Sequence, residues 1–439
     1  MDSGVEWLGE LPGHWQVRQA RRLFEQRRDN ALPEDEQLSA TQKYGVIPQR
    51  LFMEQEDQKV VLALSGLDNF KHLEPDDFVI SLRSFQGGIE RSRYGGCVSP
   101  AYTVLRPMPG LVARYWEYLL KCTPYIAALQ TTTDGIRDGK NISYGQFGGL
   151  CVPLAPENEQ TAIGAFLDNE IGKIDTLIAE QEKLIPLLAE KRQATISQAV
   201  TRGLNPAAPT KDTGLAWLGK MPAHWNMTRL KYATSLIADC PHETPVYDEE
   251  GTYKVVRTAD ITEGQLHAND MYCVNEVEYQ KRIRRHALRK DDLVYGREGE
   301  RWGFAAQVPE DEKFCLGQRM MQFRSTDTMH PRYLMWQLNS LSTYRQGQID
   351  TVGAAAPHVN VGTIRNYYLA EPPLKEQKEI FAFLDSESTK LDVLTTEAKR
   401  VIALLKERRS ALIAAAVTGQ IDVRGAVARP AATMEAMAA

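Results

Sequence analysis

The chain writes part of itself twice. Residues 4–15 read Gly-Val-Glu-Trp-Leu-Gly-Glu-Leu-Pro-Gly-His-Trp, and residues 214–225 read Gly-Leu-Ala-Trp-Leu-Gly-Lys-Met-Pro-Ala-His-Trp. A second match is longer. Glu159-Gln160 opens a segment running to Thr201, and Glu376-Gln377 opens one running to Thr418. The two align without a gap over roughly 43 positions, about half of them identical. Phe166-Leu167-Asp168 falls on Phe383-Leu384-Asp385, Asp175 on Asp392, and Leu187-Leu188-Ala189-Glu190 on Leu404-Leu405-Lys406-Glu407. A weaker third match joins residues 135–142 to 353–361, just ahead of each long segment. Repetition at such a period constrains a fold more than local propensity does. The plan is a globular part, a long segment, a second globular part and a second long segment, with little else matching inside the globular parts.

The long segments are helices by pattern. In the first, apolar residues at Ile163, Phe166, Leu167, Ile171, Ile174, Leu177 and Ile178 recur in steps of three and four, the spacing of an amphipathic helix. Pro156 and Gly203 bracket it, as Pro372, Pro373 and Gly419 bracket its copy; proline before and glycine after are helix punctuation. About 44 helical residues span roughly 66 Å, too long to stand alone, and the obvious partner is the copy. Antiparallel pairing then puts the globular parts at opposite ends, related by a pseudo-two-fold axis. Pro186 in the first helix, where the copy has Ala403, predicts a kink. The charged outer faces, with Glu180, Lys183 and Glu190, fit a spacer, or a spacer that also docks another protein.

At 439 residues the chain is long enough for roughly two to three domains. It has no run of 18 apolar residues, so no transmembrane helix is expected. The acidic residues 1–6 lack the basic-then-apolar pattern of a secretory signal. Six cysteines without a Cys-x-x-Cys pair point to a reducing, cytoplasmic setting and away from a disulfide scaffold or a structural zinc. The formal charge is −5, so any grip on nucleic acid must be local or lent by a partner.

Catalytic signatures are missing. There is no Gly-x-Gly-x-x-Gly, phosphate-binding loop, His-Glu-x-x-His or Gly-x-Ser-x-Gly, nor the Asn-Pro-Pro-aromatic run of adenine methyltransferases. Glu376-Gln377-Lys378 and Glu397-Ala398-Lys399 have a nuclease-like spacing, but both lie in a Glu- and Lys-rich helix where such triplets arise by chance. Cys240-Pro241-His242 is at most half a metal site, and no metal is expected. A binding protein is the better expectation.

Recognition chemistry is expected in the loops of the globular parts. In the first, Arg83, Phe85, Gln86, Arg91, Arg93 and Tyr94 belong to a glycine-containing loop after the strand-like residues 77–83. In the second, residues 292–296 lead into Arg297, Glu298, Glu300, Arg301 and Trp302. Arginine reads guanine, glutamine or asparagine reads adenine, and glutamate accepts from cytosine; a solvated hairpin turn is the plain alternative for each loop. Residues 97–105 and 316–323 read as strands whose starts present Ser99, Tyr102, Gln318 and Arg319. The third repeated element offers Arg137, Lys140, Asn141, His358 and Asn360 for phosphate contact. Arg284 and Arg285 stand in the densest basic stretch, residues 281–290, and Arg257 joins the candidates; a solvated face balanced by Asp291 and Asp292 is the alternative for that stretch. Trp7, Trp15, Trp217 and Trp225, with His14 and His224, read as clips that pack each globular part against a helix end.

The layout resembles the DNA-specificity (S) subunit of type I restriction–modification systems. The residues that carry the resemblance are the two tryptophan motifs, Glu159-Gln160 with Ala165-Phe166-Leu167-Asp168, Glu376-Gln377 with Ala382-Phe383-Leu384-Asp385, and residues 353–360 followed by Glu371-Pro372-Pro373-Leu374. The resemblance implies a mixed α+β chain: a target-recognition domain of α/β fold over 1–155, a spacer helix over 156–205, a second such domain over 206–370, a second spacer helix over 371–423, and a disordered tail over 424–439. The helices would form a long antiparallel two-helix coiled coil within a pseudo-two-fold repeat. It also implies a non-catalytic subunit that reads a bipartite double-stranded DNA site. Two adenine-N6 methyltransferase subunits, and a translocase–endonuclease subunit for cleavage, would bring S-adenosylmethionine, ATP and magnesium. The rival expectations are a DNA-modifying nuclease or methyltransferase with an unrecognised site, and a scaffold with no DNA role.

Overall fold

The computed structural model describes residues 1–56, 69–82, 84–132, 142–299, 301–311, 313–349 and 357–425. The chain divides into two units, Met1–Gln181 with Arg400–Ala439, and Glu182–Lys399. Both are mixed α/β.

The centre of the first unit is an antiparallel sheet in the order Phe24–Arg27, Thr103–Pro107, Phe78–Ile80, Glu90–Arg91. The second unit has the same sheet: Thr234–Asp239, Met320–Ser325, Leu293–Gly296, Ala305–Gln307. Strand order and directions agree although the sequences do not. Each unit buries an aspartate just before its third strand, Asp77 and Asp292, 2% and 1% exposed. A buried carboxylate needs a counter-charge. Asp77 forms an ion pair with Arg27, Nε at 2.8 Å, on the first strand, and Asp292 accepts from Arg324 Nε at 2.7 Å, on the second. The same electrostatic need is met from different places, so no sequence match survives. A further strand pair, Gln16–Gln19 with Cys151–Leu154 and Asn226–Arg229 with Tyr368–Glu371, delivers each globular part to its long helix.

The long helices run over Glu157–Arg202 and Leu374–Val417. The first continues across Pro186, whose ring lies on an exposed face. The proline therefore does not end the helix: its missing N–H leaves a carbonyl on the water side, where solvation offsets part of the loss.

The repeated motifs are two halves of one clip. Glu159 accepts from Trp15 Nε1 at 2.8 Å and lies 2.8 Å from His14 Nε2; Glu376 accepts from Trp225 Nε1 at 2.9 Å and lies 2.7 Å from His224 Nε2. Burial pushes the Glu159 carboxyl up, but the bonds from Trp15 and His14 outweigh it and hold it below the usual carboxylate range. The neighbouring Gln160 and Gln377, 1% and 0% exposed, bond to backbone of the globular parts at Val112 and His330. Arg114 pairs with Asp168 and Arg332 with Asp385. Each helix ends on a glycine in the left-handed region, Gly203 at φ +73° and Gly419 at φ +71°. A Cβ on Gly419 would stand 2.6 Å from the Pro12 ring, and one on Gly203 3.0 Å from Trp225, so both backbone angle and packing require glycine.

Within the first unit, Arg409 Nε donates to Asp175 at 2.8 Å, while Arg424 lies 3.8 Å from Glu159. Partner numbers fall as helix numbers rise, so these helix segments are antiparallel. The Tyr115 hydroxyl donates to Val417 O at 2.9 Å, and Ile163, Leu167, Ile171, Ile413 and Ala416 share one core with Phe24, Phe78 and Trp116. Within the second unit, Arg192 pairs with Asp392, and the Tyr333 hydroxyl lies 3.3 Å from Val200 O and from Ala370 O, again antiparallel. Ile196, Val200, Ile380 and Leu384 join the core around Tyr295, Phe323 and Tyr333.

Three expected strands differ. Residues 77–83 are a strand only over Phe78–Ile80. Residues 97–105 break into Gly96–Val98 and Thr103–Pro107, with a turn in which Ala101 N donates to Ser99 Oγ. Residues 316–323 break between Phe314–Leu316 and Met320–Ser325 at Arg319, whose φ is +70°. The expected disordered tail lies outside the described residues from 426 onward.

Candidate nucleic-acid interface

In each unit one end of the four-stranded sheet gathers polar loops. In the first unit this is the end beyond Ile80, where Ser81 and Leu82, Tyr102 and the hairpin tip at Thr41–Tyr44 line a groove of about 410 Å³. Gln86 is exposed on the one-turn helix Ser84–Gly87, and Ser99 opens the turn that carries Tyr102. Arg91, Arg93 and Tyr94 are not there. The strand Glu90–Arg91 runs back along Phe78–Ile80 and delivers them to the opposite end. There Arg91 pairs with Asp76 and Glu117, and Arg93 with Glu117. Burial raises the Glu117 carboxyl, but the Arg114 and Arg91 guanidinium groups outweigh it and hold it below its usual range. The expected loop is thus split by the sheet it serves, and Arg91 and Arg93 are committed to ion pairs. Arg83, Arg137, Lys140 and Asn141, and the side chain of Phe85, lie outside the described residues.

In the second unit the corresponding end collects four segments. Arg297 follows the strand Leu293–Gly296. It is 7% exposed, donates from Nε to Asp239 at 3.1 Å, and pairs through Nη2 with Glu298 at 2.8 Å. Val359 N donates to Arg297 O and Gly299 N to Pro357 O, and His358 bridges Glu298, so the third repeated element is laced onto this loop. Gln318 bonds Thr244 Oγ1 at 2.7 Å, and Arg319 is exposed, 3.9 Å from Glu298. Arg301, Arg284, Arg285 and Asn360 are exposed; Glu300 lies outside the described residues.

Two more side chains expected to face a ligand do not. Trp302 is 5% exposed, stacked on Tyr344 at 4.3 Å because the bond from Gly303 N to Gly296 O folds the loop inward. Arg257 gives Nε and Nη2 to Asp260 at 2.9 and 2.7 Å, so its fork is occupied. Cys240 is buried and His242 lies 3.1 Å from Asp239. Among the described residues no three His, Cys, Asp or Glu side chains gather as a metal site, and no helix is long and apolar enough to cross a membrane. All six cysteines are free.

Glu90, buried on the edge strand, accepts from Lys121 Nζ at 2.7 Å through one oxygen, and the other is buried without a partner. Burial pushes its carboxyl up from 4.5 to about 7, against the pull of Lys121. A folded value above the unfolded one means that this group's stabilising contribution is complete below the unfolded value of 4.5 and is lost as pH rises through about 7. Glu90→Gln is therefore expected to flatten the fall in melting temperature across that window. An unchanged slope would contradict the assignment.

Residues 239–402 match the family model of the type I restriction modification DNA specificity domain. Relatives include the EcoKI specificity subunit of Escherichia coli strain K12, 20% identical over 377 residues that span 82% of this chain and 77% of that protein. The EcoBI specificity subunit of Escherichia coli is 21% identical over 313 residues, 70% of this chain and 65% of that protein. Among solved structures, a chain from work on complex assembly and conformational transition of the type I R-M system superposes with a TM-score of 0.71 at 15% identity, covering 94% of this chain and all of that one (100%). The HsdS subunit from Thermoanaerobacter tengcongensis does so at 0.58 and 16% identity, covering 94% and 98%. The fold is that of these subunits. By family model, by relatives and by fold, this chain is similar to type I specificity subunits, and the resemblance carried by the repeated motifs is borne out.

Proposed function

We propose that this chain is the DNA-specificity subunit of a type I restriction–modification complex, reading a bipartite double-stranded site and doing no chemistry itself. The observation that carries the reading is the pair of equivalent sheet ends. One scaffold, recurring in strand order and direction, carries at this end a groove lined by Gln42, Lys43 and Tyr102 in one unit and, in the other, Gln318 and the exposed Arg319 beside Glu298. Two readers of unlike half-sites need such divergence on a common frame.

The two long helices then form one antiparallel coiled coil that separates the recognition domains and sets the gap. The ion pairs support this: Asp175 with Arg409 and Arg192 with Asp392 are the same pair under the repeat. Adenine-N6 methyltransferase subunits docked on this chain would supply S-adenosylmethionine and act on a flipped adenine; a translocase–endonuclease subunit would bring ATP and magnesium. The chain works on DNA in the cytoplasm.

Base-reading side chains specify, phosphate contacts only position. Arg301→Ala and Arg319→Ala are therefore expected to relax recognition in one half-site only, each mismatch then costing less than the usual ~1–3 kcal/mol. The measurement is methylation of oligonucleotides varied in one half at a time, by the assembled complex. Relaxation in both halves would sink the two-reader model. Replacing residues 1–155 by those of a relative should change the other half-site; an unchanged target would favour a scaffold without a DNA role.

A further inference from the structure

Both sheet ends carry an aromatic pair with a cation laid on one ring. In the second unit Tyr247 and Tyr272 meet edge to face, centroids 4.8 Å apart, and the Arg257 guanidinium stacks 3.8 Å from the Tyr272 centroid. In the first, Tyr44 and Phe52 meet at 6.5 Å and 70°, with Lys43 Nζ 4.7 Å over Tyr44. The first pair stands on a hairpin tip and the helix after it, the second on the residues flanking strand Tyr253–Val256 and the start of Cys273–Val274. The repeat did not hand these pairs down, since they occupy unrelated segments. Each stands beside the polar loops gathered in its unit, Tyr44 and Phe52 in the groove with Tyr102, and Tyr272 under Arg257.

Their surroundings point to one kind of occupant. Tyr44 and Phe52 line the groove with Ser81, Leu82 and Tyr102. Gly317 N donates to Val256 O, and a Cβ on Gly317 would stand 3.1 Å from Arg257 Cγ, so the tyrosine pair is continuous with Gln318 and Arg319. Tyr272 and Tyr247 are 52% and 42% exposed. Half-exposed rings beside cations have an apolar face and a polar edge to offer a partner. Arg257 has given its fork to Asp260; what it does is hold Tyr272 flat. Apolar side chains contact thymine methyl groups and enter base steps where arginine does not.

We propose that these cation-capped aromatic pairs are the DNA-contacting steps of the two recognition domains: Tyr247 and Tyr272, positioned by Arg257, on one half-site, and Tyr44 and Phe52 on the other. This rests on the recognition reading above. The test uses the full chain assembled with its methyltransferase subunits and an oligonucleotide carrying its mapped site. Tyr272→Ala is expected to weaken binding at least about tenfold, with Tyr247→Ala as the second variant, and the urea midpoint should stay put because both rings are exposed. Arg257→Lys, which keeps the charge but loses the flat fork, should weaken binding in the parent and add nothing when Tyr272 is already alanine. Tyr44→Ala should weaken binding too, with its penalty sensitive only to changes in the other half-site. Tyrosine variants that bind like a discriminating parent overturn the aromatic steps alone, as does an Arg257→Lys loss that persists without Tyr272. A parent complex with no sequence preference overturns the recognition reading itself.

Discussion

Gln377→Leu is expected to cost the second unit roughly 3–6 kcal/mol, because it leaves one buried polar group unpaired at about 1–3 kcal/mol and two half-buried ones at about 1–1.5 kcal/mol each. Gln377 accepts from His330 N and donates to Thr328 O and Pro372 O, all at 2.8 Å. Leucine fills much of the same volume and makes none of these bonds. Gln160 does the same work in the first unit, accepting from Val112 N at 2.9 Å and Trp116 Nε1 at 3.1 Å and donating to Ala155 O at 2.8 Å. Urea unfolding of the full chain should show Gln377→Leu lowering one transition and Gln160→Leu the other. A loss below about 1 kcal/mol for either, the net worth of a single ordinary hydrogen bond, would mean that the clip is not what ties each globular part to its helix.

The clip was readable because it is local and repeated: His14-Trp15 and Glu159-Gln160 occur twice, and a docking contact made twice leaves its mark twice. The helices were readable from period and punctuation. The interface was readable only in outline. Arg297 looked like a base reader, yet Asp239, 58 positions away, holds it. Trp302 looked exposed until a backbone bond across its loop and Tyr344 claimed it. Arg91 and Gln86 are neighbours in sequence but sit at opposite ends of a strand pair. Tyr247 and Tyr272 gave no signal, since their meeting depends on strand pairing between residues far apart. Antiparallel register is set by such long-range partners, and a single sequence does not state them.

Inserting seven residues into each long helix, between Glu182 and Lys183 and between Val401 and Ile402, should lengthen the gap in the target and leave both half-sites alone. In the proposed coiled coil these positions leave Asp175 facing Arg409 and Arg192 facing Asp392. Seven helical residues add about 10.5 Å and turn the faces by only ~20°, which corresponds to about three base pairs at roughly 3.4 Å each. Three base pairs also turn the duplex by roughly 100°, so the longer site should be bound more weakly than the parent site.

The most direct measurement is genome-wide mapping of N6-methyladenine in cells that hold the methyltransferase subunits, with and without this chain. The expected result is one motif of two unlike half-sites at a fixed gap, absent when the chain is absent and wider by about three base pairs with the lengthened helices. A single uninterrupted motif, or methylation indifferent to the chain, would contradict it.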